Sequence, residues 1–488
     1  MTIALSPSAF VDKPIKFGTD GWRGMMAADF TFGRVQQVAA ISAQVLKQTY
    51  GEQTGSNTVI VGHDRRFLSP EFAAVAAEAI AAAGFDVLLS KDFAPTPAFS
   101  WAAKDEGALG AVVITASHNP AAYNGLKIKS AFGGSVPPEV TQQVEAQLTA
   151  IFPAPTQPGT VTRFDPWPSY CQELQSKVDL AAIQGAIATG KLTVFADVMH
   201  GAAATGLERL LGTPIHEFNG DADPLFEGGA PEPLPKYLQG VLQAIADYQP
   251  QHPEGLVAGL VFDGDSDRIA AIDGQGNFLS SQVLIPILID HLTSVHGYGG
   301  EVVKTISGSN LIPKIAARYN LPLHETAIGY KYIADRMLEA QVLIGGEESG
   351  GVGYGHHIPE RDALLSALYV LESVVKSGLD LGDRYRQLQA TADYHAAYDR
   401  IDLPLPTMAV RDRLVEALQN DCPTEIAGKT VTHCLTIDGY KFTLADDSWL
   451  LIRFSGTEPV LRLYSEAATL DEAHKHLNWA KTWASAFT

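Results

Sequence analysis

Thr58-Val59-Ile60-Val61, the loop His63-Asp64-Arg65-Arg66-Phe67-Leu68-Ser69, the alanine-rich run at 70–83 and the apolar Asp86-Val87-Leu88-Leu89 decide the fold. The β-branched run reads as a buried strand, Ser69 and Pro70 as a helix entry, and the second apolar run as the next strand. The plan recurs at 192–196, with a glycine-bearing loop at His200 and Gly201 and a helix through Leu211. It recurs again as strand 301–305, loop 307–310, helix 311–319 and strand 321–324. Strands and helices alternating at this spacing predict α/β units with mainly parallel sheets, and three copies predict an internally repeated three-domain body.

After residue 400 the texture changes. Pro404 and Pro406 punctuate an expected linker, followed by a helix at 409–419, short strands and a final helix at 470–486, the pattern of a smaller α+β domain. Pro and Gly are dense at 153–168, read as the approach to a boundary, and at 220–235, read as a long surface or functional loop. The expected units are 1–187, 188–297, 298–400 and 401–488. At roughly 150 residues per domain, three or four units suit the length.

The hydrophobic fraction of 46% and charged fraction of 18% are those of a globular chain without extensive disorder. A formal charge of -20 argues against general affinity for nucleic acid or an anionic membrane, and requires a locally basic pocket for any anionic substrate. Cys171, Cys422 and Cys434 are odd in number and lack metal-like spacing, so they read as small buried hydrophobes in a reducing compartment. The amino terminus lacks a signal-peptide pattern, and apolar runs such as 283–289 are far shorter than the ~20 residues a bilayer span needs, so a cytoplasmic protein is expected.

Four loops carry the chemistry, each after an apolar strand-like run. Thr115-Ala116-Ser117-His118-Asn119-Pro120 follows 110–114 and presents a hydroxyl nucleophile beside an imidazole. A phosphorylated Ser117 would carry roughly -1.5 to -2 charge and would find His118 and Lys127 as partners. In the second loop Asp263, Asp265 and Asp267 alternate, with Arg268 next; their mutual repulsion is relieved by a divalent, oxygen-seeking cation. A calcium EF-hand would want glycine sixth and glutamate twelfth, where Arg268 and Gly274 stand, so Mg2+ fits better. The third loop, Gly345-Gly346-Glu347-Glu348-Ser349-Gly350-Gly351, offers carboxylates and a hydroxyl suited to sugar hydroxyls. The fourth, Arg453-Phe454-Ser455-Gly456-Thr457-Glu458 with Arg462 beyond it, has the parts of a phosphate grip. Lys331 is a candidate acid or base, Arg23 sits in a glycine-framed turn, and His63-Asp64-Arg65-Arg66 is accounted for by a capped helix start.

In this order the loops resemble those of the α-D-phosphohexomutase family, and the resemblance spans essentially the whole chain. It implies three related, mainly parallel α/β domains in a heart-shaped arrangement around a cleft, plus a smaller carboxy-terminal α+β domain. It implies interconversion of 1-phospho and 6-phospho sugars, with Ser117 as phosphoserine and Asp263, Asp265, Asp267 and a phosphoserine oxygen as Mg2+ ligands. Glu347 and Ser349 would hold sugar hydroxyls, and Arg453, Ser455, Gly456 and Thr457 the non-transferring phosphate, with Arg462 nearby. Ser117, His118, Lys127, Arg23, Arg268 and Lys331 form the expected catalytic set. Lys331 and Glu347-Glu348-Ser349 are similar to the glucose-type branch, which implies glucose 1-phosphate and glucose 6-phosphate as substrates and glucose 1,6-bisphosphate as intermediate and activator. Mannose-accepting bacterial members typically have histidine near the Lys331 position. Gly350 and Gly351 depart from the phenylalanine often found after the serine, which leaves an alternative open: a synthase that releases glucose 1,6-bisphosphate made with a donor such as fructose 1,6-bisphosphate. A phosphatase and a non-catalytic sugar-phosphate sensor are disfavoured by the separate sugar and phosphate loops and by the full set of reactive residues.

Overall fold

The computed structural model describes residues 13–149, 157–455 and 459–487. In the first sheet the strands lie in the order Trp22–Met25, Tyr123–Ser130, Gly110–Ile114, Thr58–His63, Asp86–Ser90, Val161–Phe164. The last four are mutually parallel, and the first two are joined by antiparallel pairings. The two faces of this sheet go to different partners. Val59, Val61, Val112 and Ile114 pack with Val38, Leu46, Phe72 and Ala76 of helices Phe32–Thr54 and Ser69–Ala82. Ile60, Ala111 and Val113 face the other way, with Phe99 and Ala102 of helix Thr96–Asp105. Both faces are covered, which is why the strands read as continuous apolar runs.

The second sheet is ordered Phe278–Leu279, Ile269–Ile272, Leu256–Phe262, Leu192–Asp197, His216–Phe218, and the third Leu323–Thr326, Glu301–Thr305, Val342–Gly346, Val352–Tyr354. Each of the first three units repeats one local device. The parallel strand Gly110–Ile114, Leu256–Phe262 or Val342–Gly346 ends in a loop and returns antiparallel as Tyr123–Ser130, Ile269–Ile272 or Val352–Tyr354. The return strands make the sheets mixed, and they aim the three loops into a common space. The core beneath Phe99 continues without a break through Val194 and Leu260 of the second unit to Val302 and Ile344 of the third.

The carboxy-terminal unit has its own core, built on Leu414, Leu450, Leu463 and Leu477. The described strand pairings of its sheet are antiparallel, in the order Ala397–Pro404, Val460–Ala467, Trp449–Phe454, Tyr440–Leu444, Lys429–Leu435, Glu425–Ile426. The expected linker at 400–406 needs correction: Ala397–Pro404 is an edge strand paired along its whole length with Val460–Ala467. Pro404 is tolerated there because an edge strand leaves one row of amides unpaired. The 400/401 boundary therefore cuts a strand. The 297/298 boundary also falls late, since helix Ser281–Ser294 packs on helices Leu311–Arg318, Ala363–Ser377 and Leu381–Ala392 of the third unit.

Helices Ser69–Ala82, Leu311–Arg318, Met408–Asn420 and Leu470–Ser485 lie within a residue of their expected ends. The proline-rich stretch before the second unit lies partly outside the described residues. The cysteines are not all buried as expected: Cys422 is exposed and Cys171 and Cys434 half-buried, because Cys422 follows the end of helix Met408–Asn420 on the outer side of the last unit. Among the described residues, no helix is long and apolar enough to cross a membrane.

Candidate active site

Ser117 stands where strand Gly110–Ile114 turns back, at φ 51°, a left-handed conformation unfavourable for any residue with a β-carbon. Surrounding contacts hold it there. The Thr115 hydroxyl accepts from the Ser117 amide at 2.9 Å. The Arg66 guanidinium donates to the carbonyl oxygens of Ser117, Asn119, Pro120 and Tyr123. Arg66 is itself fixed by Asp64 at 3.3 Å, and Asp64 by the Ser69 hydroxyl at 2.7 Å. The turn at 63–66 thus does more than cap a helix: it clamps the serine loop.

The Ser117 hydroxyl donates to Asp263 Oδ2 at 2.8 Å, with His118 Nδ1 3.3 Å away. Asp263, Asp265 and Asp267 are all buried, and one carboxylate oxygen from each lies within 4.8 Å of the others. Asp263 Oδ1 accepts from the amides of Asp267 and Arg268, which closes the loop. Gly264 lets the loop approach the serine: a β-carbon there would lie 2.5 Å from the Ser117 carbonyl oxygen. Asp265 Oδ1 and Asp267 Oδ1 are buried with no hydrogen-bond donor among the described residues. Burial, followed by repulsion from Asp267 and Asp265, pushes the Asp263 carboxyl well above the usual range. Burial also opposes ionisation of Asp265, but Lys127 and the Thr96 hydroxyl together hold that carboxyl below the usual range. Donorless oxygens in a ring of crowded carboxylates fit a hard divalent cation.

The basic groups divide into two sets. Lys127 Nζ lies 2.8 Å from Asp265, 2.8 Å from Asp267 and 2.7 Å from Asp20. Arg361 donates to Asp267 and Asp20. Lys127 is therefore a counter-ion of the aspartates, not the immediate partner of the serine oxygen that its spacing suggested. Arg23 donates to Asn119 Oδ1 at 2.5 Å, and the Arg268 Nε is buried, 4.0 Å from Asp267 and without a hydrogen bond. Burial, with Arg268 and Arg23 behind it, lowers the His118 imidazole to about 2, so beside the unphosphorylated serine it is uncharged near neutral pH.

The third loop is stitched to the second. The Ile269 amide donates to the Gly350 carbonyl at 2.9 Å, and Arg268 bridges to Gly351. Gly350 has φ 105°, and a β-carbon on Gly351 would come within 2.4 Å of Arg361 Cδ. Glu347 is buried and accepts from the Gly329 amide at 3.0 Å, while Glu348 accepts from the Ser307 hydroxyl at 2.8 Å. Ser349 is half-buried at the loop tip. Lys331, in the first turn of helix Tyr330–Glu339, lies 4.7 Å from the Tyr332 ring centre and lines a cleft of about 390 Å³ with Lys16, Thr19, Asp20 and Glu145.

In the last unit, the register sets Asp402, Arg462 and Arg453 side by side on three strands. One step along the same face Leu451 and Tyr464 pack on Ile306 of the third unit. That face is apolar where it docks and arginine-rich further on. Arg453 Nε donates to Asp438 at 2.8 Å, Arg411 Nε donates to the Ser455 carbonyl at 2.9 Å, and Arg462 Nε is buried without a hydrogen bond among the described residues. Gly456 and Thr457 lie outside the described residues.

Four family descriptions match in chain order: phosphoglucomutase/phosphomannomutase alpha/beta/alpha domain I at residues 14–154, domain II at 168–276, domain III at 280–391 and the C-terminal domain at 409–477. The chain belongs to the α-D-phosphohexomutase superfamily. The chain is 29% identical over 471 residues to a phosphoglucomutase/phosphomannomutase of Thermococcus kodakarensis, covering 94% of this chain and 96% of the other. It is also 29% identical over 485 residues to a phosphoglucosamine/phosphogalactosamine mutase of Sulfurisphaera tokodaii, covering 95% and 98%. A crystallised phosphomannomutase-type protein of Thermus thermophilus superposes with a TM-score of 0.83 at 32% identity, over 97% of this chain and 100% of that one.

Several residues of the phosphohexomutase site carry no motif of their own. Asp20 and Arg361 complete the charge network, and Thr96 donates to Asp265 Oδ2 at 2.7 Å. Arg400 adds a third arginine to the last unit's polar face, 3.8 Å from Glu348. A signal existed for Arg361: Glu360-Arg361-Asp362 places three charges directly before the fully apolar start of helix Ala363–Ser377, and all three are buried. Charged residues are rarely buried unless they are paired.

Proposed function

We propose that this phosphohexomutase interconverts glucose 1-phosphate and glucose 6-phosphate through a phosphorylated Ser117 and a glucose 1,6-bisphosphate intermediate. The observation that carries the reading is Ser117 Oγ, 2.8 Å from Asp263 Oδ2, at the edge of a carboxylate cluster with two donorless oxygens. Asp263, Asp265 and Asp267 would hold Mg2+, which when bound supplies Lewis-acid stabilisation of charge on a transferring phosphoryl group. The remaining work falls to the chain itself. Transfer breaks the bond between Ser117 Oγ and phosphorus and forms one between phosphorus and a sugar oxygen. In the return half-reaction the serine oxygen attacks the other phosphate of the bisphosphate, the bond from phosphorus to that sugar oxygen breaks, and the serine proton, with His118 Nδ1 3.3 Å away to relay it, ends on the departing sugar oxygen. The left-handed backbone at Ser117, held by Arg66, keeps Oγ in position, which is the main contribution a protein makes to phosphoryl transfer. Glu347 and Ser349 present acceptors for sugar hydroxyls, and Arg400, Arg453 and Arg462 form the basic pocket for the phosphate that is not reacting.

The synthase alternative drew on Gly350 and Gly351. Their contacts with Arg268, Ile269 and Arg361 account for the pair without reference to the product released. The test incubates the chain and Mg2+ with glucose 1-phosphate, mannose 1-phosphate or glucosamine 1-phosphate, each with and without glucose 1,6-bisphosphate or fructose 1,6-bisphosphate, and identifies products by mass spectrometry. Glucose 6-phosphate is expected as the main product, with a phosphate-sized mass shift on the Ser117 peptide. Ser117→Ala is expected to lose at least about 10³-fold in turnover, since it removes the covalent step. Net accumulation of bisphosphate, or faster turnover of another sugar, would replace this reading.

A further inference from the structure

A second group of convergent ligands lies outside the sugar-phosphate cleft. His291 sits in the last turn of helix Ser281–Ser294, His296 just beyond that helix, and Glu372 in helix Ala363–Ser377. Both imidazole Nε2 atoms point at one atom: Glu372 Oε2 is 2.8 Å from His291 and 2.6 Å from His296. The rings are nearly perpendicular, 5.3 Å apart, so they meet the shared oxygen edge-on from two directions. His291 and Glu372 are buried, whereas His296 keeps 16% of its side chain exposed. The other carboxylate oxygen accepts from the Asp179 amide at 2.7 Å, which fixes the carboxylate plane. Lys376, one turn further along the same helix, is engaged by Asp179 at 2.5 Å. A cavity of about 250 Å³ reaches His291 between Ser294, Ser373 and Lys376.

We propose that His291, His296 and Glu372 form a second metal site, one that takes Zn2+. Two imidazole nitrogens and one carboxylate oxygen are a zinc donor set, with the fourth position left to water, while Mg2+ prefers oxygen ligands throughout. The site therefore selects a different ion from the aspartate cluster. Each imidazole coordinates through Nε2 with its proton moved to Nδ1. Tetrahedral bonds of about 2.0–2.1 Å set neighbouring ligand atoms about 3.3 Å apart. Both separations, 2.8 and 2.6 Å, must therefore open by roughly 0.5–0.7 Å, at His291 toward the cavity it lines and at His296 toward its exposed side. The Asp179 amide plays the orienting part that outer-shell hydrogen bonds play at zinc sites. Because Asp179 caps helix Leu180–Ala188, the bound ion would tie two helices of the third unit to the entry of the second.

The experiment uses the full chain, stripped with chelator, saturated with Mg2+ to fill the aspartate cluster, exposed to ZnCl2, desalted and counted by inductively coupled plasma mass spectrometry. Wild type is expected to retain about one zinc per chain and to gain thermal stability with Zn2+, as binding to the folded state requires. Asp265→Asn should retain the zinc. His296→Gln keeps a donor toward Glu372 and sits at a partly exposed position, so it should fold, yet it should lose at least about 10-fold in zinc affinity, the scale on which ligand-shell changes act. Glu372→Gln should behave likewise, and Co2+ bound to wild type should show visible absorption that His296→Gln lacks. The proposal is overturned if wild type retains no zinc, or if folded His296→Gln retains as much as wild type.

Discussion

Glu347 is buried against the Gly329 amide, and burial pushes its carboxyl up to about 7 despite the opposing pull of Arg361. The folded chain holds this proton more tightly than the unfolded chain, where the carboxyl stands at 4.5. Its contribution to stability is therefore complete below that lower value and is lost as pH rises through the upper one. A separation of this size is worth ~3 kcal/mol. Urea unfolding of wild type and Glu347→Gln should show the difference between them shifting by about that amount between pH 4.5 and 8, with wild type losing ground as pH rises. A flat difference would show that Glu347 is ionised throughout. At this scale legibility depended on local crowding. Ser117, the alternating aspartates and Glu347 stand in runs whose composition is unusual, and the structure gathers the three aspartates within 4.8 Å of one another with Ser117 at hydrogen-bond distance from Asp263. Asp20 and Thr96 are single residues that no unusual run sets apart, and Arg361 stands in a charged triplet whose burial only the fold reveals; tertiary contact brings all three to Lys127 or the aspartates. Lys127 and His118 were read from their nearness in sequence to Ser117. Strand Tyr123–Ser130 instead directs the lysine at the aspartates, and burial leaves the imidazole neutral.

The helices were legible because alanine-rich or amphipathic runs with Pro70 near the start leave little choice. Two strands were harder to read: the return strand Tyr123–Ser130 contains Asn124, Gly125, Lys127 and Lys129, and the edge strand Ala397–Pro404 contains Asp399, Arg400 and Asp402. Their polar residues belong to the site or to an edge, and both conditions override the usual strand composition. It is the three return strands that turn an α/β repeat into a set of converging loops. The contact between the serine and metal loops is close enough to test. A β-carbon at position 264 would lie 2.5 Å from the Ser117 carbonyl oxygen and 2.8 Å from Pro231 Cγ, so Gly264→Ala must move one loop away from the other. A displacement of about 1 Å at a reacting group costs on the order of 10²-fold in rate. Steady-state assays should show kcat down by about that factor while circular dichroism stays native, because the strands on either side of the loop are untouched. Native turnover in Gly264→Ala would mean that the two loops need not hold their present separation.

The first three units share one core, while the fourth has its own and touches the third through the small cluster of Ile306, Trp449, Leu451 and Tyr464. A chain with net charge -20 repels a sugar phosphate in general, so the arginines on this last unit must supply the attraction locally. Asp438 links that attraction to the docking. Its Oδ2 accepts from Arg453 Nε at 2.8 Å and from the Ile328 amide of the third unit at 3.1 Å. The next residue, Gly329, donates its amide to Glu347, so three hydrogen bonds and one peptide unit link Arg453 of the phosphate grip to Glu347 of the sugar loop. Asp438→Ala removes the partner of both donors. A charge-assisted hydrogen bond contributes about 1.5–3 kcal/mol, and the guanidinium set free no longer holds a fixed direction. Loss of even the lower amount raises KM for the hexose phosphate by about 10-fold, with kcat changed far less, since the contact serves binding in ground and transition states alike. Parallel measurements of KM and kcat on Asp438→Ala and wild type decide the matter. An unchanged KM would mean that Arg453 finds its phosphate without Asp438, and that the last unit docks and binds through separate devices.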